Sequence, residues 1–486
     1  MNTQLRRTFY FFVAGFAALI VMLAYWQVYA QESIANAPEN SLQAQRANES
    51  PRGLILARDG ETELARSEPR EVEDGTAYDR VYPGGAPFAN VVGYTSTRFG
   101  QSGLEARLNS ELTGEGDPQT LDELINRSTG GPQPGSNVEL TLDPELQETA
   151  YEALSETNTG RGAAVAVEPD TGELLALVTH PSYDPNDLDD DDRFAELQED
   201  PDLPLIDRAT QSLYPPGSTF KVITAAAGLE AGIEPSDDFF DSGEYETPGY
   251  TVVNYQNRDY GEVTFSQALV FSINAVFAEI AVEVVGAEEL AAMAQAFGFG
   301  DEYEDFIMPV AESRLGLPPS EWAPGNTAPI SFGQDQVVSN AFEMALVSAT
   351  IANGGERMAP RLLREVRSPE GVLLERTGPE AREEALSEEA AGELNEMMQQ
   401  VVTEGGLTQA EVPGVEVAGK TGTAEVGDGD PHSWWISFAP ADDPQIAVAV
   451  MVENGGELDV AGGADTPAIP VATSITEAYL DNEDES

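Results

Sequence analysis

Residues 214–221 read Tyr-Pro-Pro-Gly-Ser-Thr-Phe-Lys, and Lys221 opens a small, apolar run, Val222-Ile223-Thr224-Ala225-Ala226-Ala227-Gly228-Leu229. Two prolines and a glycine set a turn, and helical periodicity follows over Thr219–Leu229. Ser218 falls at the first turn of that helix and Lys221 three residues on. Residues at i and i+3 share a helix face, so hydroxyl and amine can meet. A serine hydroxyl is a poor nucleophile until a neighbour takes its proton, which a desolvated, neutral lysine can do. The helix N-terminus also aims backbone N–H groups at negative charge developing there. Taken alone, Ser-x-x-Lys is a weak signal that better fits an N-cap serine followed by a surface lysine.

The use of lysine narrows the choice. Of 24 basic side chains only two are lysine, Lys221 and Lys420, and the rest are arginine. Nucleotide bias or adaptation to salt explains a preference for arginine, but not where the two lysines stand. Arginine is never deprotonated in a protein, whereas a buried lysine shifts readily and can act as a base. Lys420 lies in Val415-Glu416-Val417-Ala418-Gly419-Lys420-Thr421-Gly422-Thr423-Ala424-Glu425. That is an alternating strand whose glycines permit close approach by a ligand. An edge strand bearing Lys420, Thr421 and Thr423 can pair with an extended peptide and bind its carboxylate. Between the lysines, Thr264-Phe265-Ser266-Gln267 is a capping box opening an apolar stretch that contains Ser272 and Asn274. Polar groups in such a place either find partners across a helix–helix joint or line a cleft.

The chain has 486 residues, enough for two to four domains and a large core. Its 86 acidic side chains give a net charge of −62, which repels phosphate backbones and excludes a nucleic-acid partner. The same excess suits concentrated salt, where self-repulsion is screened. Cysteine is absent, which excludes disulfides, thiol nucleophiles and Cys-ligated zinc. Only His180 and His432 are available as imidazoles, and no metal or cofactor is expected. The acidic stretch Asp184–Asp202 reads as a solvated loop.

Arg6 and Arg7 precede an uncharged run, Phe9–Tyr25, followed by Trp26 and Tyr29. The span nearly crosses a hydrocarbon core of roughly 30 Å, with aromatic residues at both interfaces and positive charge on the cytoplasmic side. A single-pass anchor over residues 1–30 is expected. A cleaved signal peptide ending near Val28 and Ala30 is the competing reading, and both export the remainder. Residues 31–135 are turn-rich, with short strand-like pieces at Gly53–Ala57 and Val91–Tyr94 and a linker at Gly131–Gly135. They read as a small non-catalytic pedestal. Residues 136–486 read as mixed α/β (α+β). Hairpins are expected at Ala163–Val167 with Leu174–Val178 and at Trp434–Phe438 with Gln445–Val452. Helices are expected at Phe265–Val285, Ala341–Ile351, Glu388–Val402 (N-cap Ser387) and Val471–Leu480. The sum is an antiparallel sheet covered by helices.

Ser-x-x-Lys, Ser-x-Asn and Lys-Thr-Gly, in that order, resemble the signature of penicillin-binding proteins and class A β-lactamases. Arg52-Gly53-x-Ile55 with Asp59-Gly60 and Leu64-Ala65-x-Ser67, then Gly103-Leu104-Glu105 with Leu108, look like the pedestal of class B penicillin-binding proteins. His432-Ser433-Trp434-Trp435 is similar to that family's strand after Lys-Thr-Gly. Anchor, pedestal and length most resemble the actinobacterial penicillin-binding protein A group. The middle motif, Ser272-Ile273-Asn274, departs from the Ser-Asp-Asn of class A β-lactamases. Glu105-Ala106-Arg107-Leu108-Asn109 imitates a lactamase deacylation motif but lies before Ser218, so it is expected to belong to the pedestal. No glycosyltransferase-sized domain precedes the pedestal, and a monofunctional enzyme is expected.

The resemblance implies a peptidoglycan D,D-transpeptidase outside the membrane, inhibited by penicillin-type β-lactams. Ser218 would attack the D-Ala–D-Ala carbonyl of a donor stem peptide, with Lys221 as general base. Backbone N–H groups of Ser218 and Thr423 would form the oxyanion hole. Ser272, held by Asn274 and Lys221, would pass the proton to the leaving D-Ala. Lys420, Thr421, Gly422 and Thr423 would hold the terminal carboxylate, and an amine from a neighbouring stem would resolve the acyl-enzyme. Implied partners are the membrane, a SEDS-family glycosyltransferase and division proteins. A D,D-carboxypeptidase and a non-enzymatic β-lactam sensor or divisome scaffold are the alternatives.

Overall fold

Alternating valine and alanine build the centre of the molecule. Strands Ala418–Ala424, His432–Ala439, Ile446–Val452, Gly162–Val167 and Leu174–His180 pair in that order, all antiparallel. Both expected hairpins are among these pairs. The computed structural model describes Met22 and residues 50–72, 75–114, 134–425, 429–456 and 466–485. The expected membrane anchor lies outside the described residues except for Met22. Among the described residues no helix is long and apolar enough to cross a membrane.

Successive side chains of a strand face opposite sides, and here the two sides fill two cores. Ala163, Val165, Val167, Ala447 and Ala449 pack with Val222, Phe342 and Leu394. Ala164, Ala166, Val448 and Val450 pack with Leu146, Leu154, Val471 and Ile475. The sheet is thus sandwiched. Helices Lys221–Glu230, Ala341–Ala352 and Glu388–Thr403 cover one face, and Pro144–Ser155 and Ala468–Glu485 cover the other. Ser387 caps Glu388–Thr403 as the sequence implied, accepting from the Ala390 N–H.

The pedestal is a six-stranded sheet in the order Leu373–Arg376, Leu363–Arg367, Asn137–Leu140, Ile55–Leu56, Glu63–Val72, Gly75–Val81. Its sheet runs across residue 135 and recruits two strands from late in the chain. Glu105 is fully buried there between Arg52 and Arg80, with N–O distances of 2.7 and 2.6 Å. The lactamase-like motif is therefore a pedestal ion cluster, as expected from its place in the chain.

Three expectations are corrected. Val91–Tyr94 is not a strand: Gly85–Val92 is a helix that buries Phe88, Val91 and Val92 on one side. A stretch of four residues is too short to distinguish period 2 from period 3.6. Asp184–Asp202 is not merely loop, since Pro185–Asp189 forms a 3-10 turn and Asp191–Glu199 a helix. The single helix expected over Phe265–Val285 is broken into Phe265–Val270, Asn274–Glu279 and a π-helical Ile280–Val285. The first of these breaks builds the site.

Candidate active site

Phe265–Val270 ends by wrapping its own backbone. The Ile273 N–H donates to the Ala268 carbonyl at 2.9 Å and the Ser272 N–H to that of Leu269 at 3.1 Å. This is the Schellman closure, whose left-handed position usually holds glycine. Here it holds Ser272, at φ 55°. A non-glycine residue in that region persists where its surroundings impose it, often at functional sites. The turn lifts the Ser272 hydroxyl out of the helix and starts Asn274–Glu279 at the asparagine.

The nucleophile turn is assembled by close approaches. Gly217 sits at φ +56°, and a Cβ there would fall 2.5 Å from the Thr423 carbonyl oxygen. A Cβ on Gly422 would meet the Pro216 oxygen and Thr219 Cγ2, both at 2.9 Å. The Trp434 indole N–H donates to the Pro215 carbonyl at 3.0 Å, which ties the sheet to the same turn. Ser218 follows in the 3-10 turn Gly217–Phe220, and Lys221 opens the helix behind it.

All three motifs meet at the two amines. Lys221 Nζ lies 3.2 Å from Ser218 Oγ, 3.1 Å from Ser272 Oγ, 2.6 Å from the Ser272 carbonyl oxygen and 2.7 Å from Asn274 Oδ1. Lys420 Nζ lies 3.1 Å from Ser272 Oγ and 3.0 Å from the Thr421 carbonyl oxygen. Both lysines are fully buried. Burial, and then the charge of Lys420, hold the Lys221 amine well below the ordinary lysine value. Burial pushes Lys420 down to about 7. A neutral Lys221 beside a serine hydroxyl is the arrangement a general base needs. A positive Lys420 next to it suits an anion.

Ser218, Asn274, Thr421 and Thr423 line one groove of about 830 Å³, together with Tyr250 and Val253. The lysine-bearing segments therefore face a common cleft, as the motif order required. Sequence reading missed the wall formed by Tyr250–Val253 and the turn after it. Its only local signal was Asn254 and Asn257, residues that favour turns. The turn uses two left-handed residues, Gln256 at φ 55° and Asn257 at φ 53°. The two histidines are elsewhere: His180 Nδ1 pairs with the Gly160 carbonyl, and His432 Nδ1 accepts the Asn454 N–H. Among the described residues no cluster could hold a metal ion.

Residues 162–477 match the family described as penicillin binding protein transpeptidase domain, and residues 52–138 match the penicillin binding protein A dimerisation domain. The chain is 36% identical to peptidoglycan D,D-transpeptidase PbpA of Mycolicibacterium smegmatis, with 99% of each chain covered. It is 35% identical to the Mycobacterium tuberculosis protein of the same name, covering 99% of this chain and all of that one. The structure of penicillin-binding protein A from M. tuberculosis as an imipenem acyl-enzyme complex superposes with a TM-score of 0.83 at 34% identity, covering 90% of this chain and 100% of that chain. On fold, motif geometry and these likenesses, the chain belongs to the class B penicillin-binding protein family of peptidoglycan D,D-transpeptidases.

Proposed function

We propose that Ser218 carries the acyl group in this D,D-transpeptidase and that Lys221 activates it. The supporting observation is the contact of one buried amine with Ser218 Oγ, Ser272 Oγ and Asn274 Oδ1. Lys221 takes the Ser218 proton as Oγ bonds to the penultimate D-Ala carbonyl carbon. The negative charge on the carbonyl oxygen is met by the Ser218 and Thr423 N–H groups, a type of donor worth ~10²–10³ in rate. The carbon–nitrogen bond then breaks, and the proton passes from Lys221 through Ser272 to the departing D-Ala amine. An ester on Ser218 remains. The acceptor amine attacks it, Lys221 receives the amine's proton and returns one to Ser218 Oγ, and a new amide links two stems. Lys420, Thr421, Gly422 and Thr423 hold the donor's terminal carboxylate, and a β-lactam presents the same carboxylate beside a strained amide.

Residues 1–30 are proposed to anchor the chain, with the catalytic part outside the cell membrane. Support comes from Arg6 and Arg7 before the uncharged Phe9–Tyr25 run. A SEDS-family glycosyltransferase and division proteins are the partners proposed, because cross-linking acts on strands polymerised at that membrane surface. Membrane fractionation of the full chain, with and without residues 1–30, checks the anchor. For the chemistry, the exported part is incubated with a fluorescent penicillin and with a donor thioester plus acceptor amine. Ser218→Ala should abolish both label and cross-link, and equal labelling of that variant would refute the nucleophile. Label without cross-link would point to a carboxypeptidase or a sensor.

A further inference from the structure

We propose that Asn254, held by Asp241, is a positioning residue that sets the orientation of Asn274 and thereby the proton affinity of Lys221. The inference rests on the assignment of Lys221 as the base. Helix Asn274–Glu279 begins after Ile273, whose side chain has no acceptor for a first-turn N–H. The missing cap comes from another element: Asn254 Oδ1 accepts the Ala275 N–H at 2.9 Å. Asn254 then spends its own amide N–H groups on Asp241 Oδ1 at 2.8 Å, Asp241 Oδ2 at 2.9 Å and the Arg258 carbonyl at 3.0 Å. Asp241 also accepts the Gly243 N–H at 3.2 Å and the Tyr260 N–H at 2.8 Å. Asp241 is 2% exposed and Asn254 3%, so the pair is a closed polar hub behind the motif.

The preceding residue completes the clamp. The Val253 carbonyl accepts the Asn274 side-chain N–H at 3.2 Å. With its NH₂ spent there, Asn274 must turn Oδ1 to Lys221, at 2.7 Å. If the clamp is lost, the Asn274 amide is free to rotate and present donors to an amine that is itself a donor. Among the described residues the charged group facing the Lys221 amine is Lys420, reached through Ser272 Oγ. Its other neighbours are neutral: Ser218, Ser272, Asn274 and the rings of Phe277 and Phe332, 5.6 and 5.9 Å away. Removing one of few acceptors from such a place weakens the protonated form. The acid limb of the acylation profile should therefore move to lower pH while its plateau drops.

The test is the second-order rate of labelling by fluorescent penicillin as a function of pH, corrected to the folded fraction, with thermal melting alongside. Asn254→Ala and Asp241→Ala should lower the plateau by ~10-fold to ~100-fold, the range expected of a misplaced catalytic group. Both should also displace the acid-limb midpoint to lower pH. Asp241→Asn keeps one acceptor oxygen for the Asn254 amide but turns an NH₂ toward the Gly243 or Tyr260 N–H, so its midpoint should lie between those of Asp241→Ala and the wild type. Asn254→Gln retains a buried amide one methylene too long, and should show the same displacement if the alanine variant does not fold. Variants that lose melting temperature but keep the wild-type plateau and midpoint would overturn the proposal and leave the hub purely structural. Peptide mapping of the labelled wild type separates this from the assignment beneath it. Label at Ser218 with unmoved midpoints removes the Asn254 inference alone, whereas label elsewhere removes both.

Discussion

Lys221 and Lys420 converge on one hydroxyl: Ser272 Oγ stands 3.1 Å from each amine. Two ammonium groups bridged by a single oxygen in a fully buried site cannot both be charged cheaply, so they titrate as a pair. Burial lowers both amines and the charge of Lys420 lowers Lys221 further, so the pair favours a neutral Lys221 beside a protonated Lys420. The pair thus holds a base and a cation side by side with no carboxylate or imidazole among the hydrogen-bond partners of either amine in the described residues.

That division predicts a bell-shaped kcat/KM. The productive state has Lys221 neutral and Lys420 protonated. Activity should climb as pH rises through the low Lys221 value and fall as it rises through about 7, where Lys420 loses its charge. A bound donor carboxylate favours the ammonium, so the alkaline limb of kcat should lie above that of kcat/KM. Acylation rates against pH check this, and a kcat/KM that keeps climbing beyond neutrality would contradict it.

Lys221→Met should separate catalysis from stability. Labelling at Ser218 should fall by at least ~10²–10⁴, the usual worth of a positioned base. Thermal stability should hold or rise at neutral pH, because the variant no longer desolvates an amine. Linkage gives the sign. The depressed lysine binds a proton in the unfolded chain that it lacks when folded, so wild-type stability rises with pH from the folded value up to roughly 10.4. Above that both states are neutral and the slope ends. The melting temperature of Lys221→Met should rise less steeply across the same window.

Ser272 occupies the glycine position of the turn, so its two smallest replacements should differ. Ser272→Gly and Ser272→Ala both remove the hydroxyl and should slow acylation alike. The glycine variant should be more stable than the alanine variant by roughly 1 kcal/mol, since alanine keeps a side chain at positive φ. Chemical denaturation of the two compares them directly. The reverse order would mean that the turn is unstrained.

Gly422→Ala tests the seam between sheet and nucleophile. Its methyl would enter a space where Pro216 O, Thr219 Cγ2 and Trp434 Cβ all lie 2.9 Å away. The strand must then part from the turn, at a stability cost of ~1–3 kcal/mol. Displacing the carboxylate-binding strand from Ser218 should lower acylation by up to ~10²-fold. A variant that labels at the wild-type rate would show that the seam can yield without consequence.

Much of this is legible in the amino-acid sequence. The hairpin at Gly162–His180 and the one at His432–Val452 announce themselves because period-2 runs of valine and alanine are long and bounded by turn residues. The scarcity of lysine marked Lys221 and Lys420, since chemistry that needs a neutral amine cannot use arginine. What stayed hidden depends on contacts distant in sequence. Phe265–Val285 reads as one helix, and only the left-handed Ser272 breaks it. Asn254 reaches Ala275 across 21 residues, a pairing no local pattern encodes. Asn137–Leu140 joins a sheet completed by Leu363–Arg367, so the pedestal is closed by chain that periodicity assigns to the catalytic region.

Away from the cleft, Glu343 supplies a pH signature of its own. Asn340 caps the first turn of Ala341–Ala352, and Glu343 in that turn is fully buried. It accepts from the Tyr303 hydroxyl through Oε1 at 2.8 Å, while Oε2 has no hydrogen-bond partner among the described residues. Burial raises the carboxyl from 4.5 to about 7, against the opposing pull of Tyr303 and Arg357. A carboxyl raised in the folded state holds a proton that the unfolded chain releases. Its stabilising contribution is present in full below roughly pH 4.3 and is lost as pH rises to about 7. Glu343→Gln keeps the shape and stays neutral, so its melting temperature should fall less than the wild type's across that interval. Above neutrality it should melt at or above the wild type, where the native protein carries a buried carboxylate. Parallel melting curves for the two proteins over the whole range would show that Glu343 is ionised throughout and that Arg357, not the proton, neutralises it.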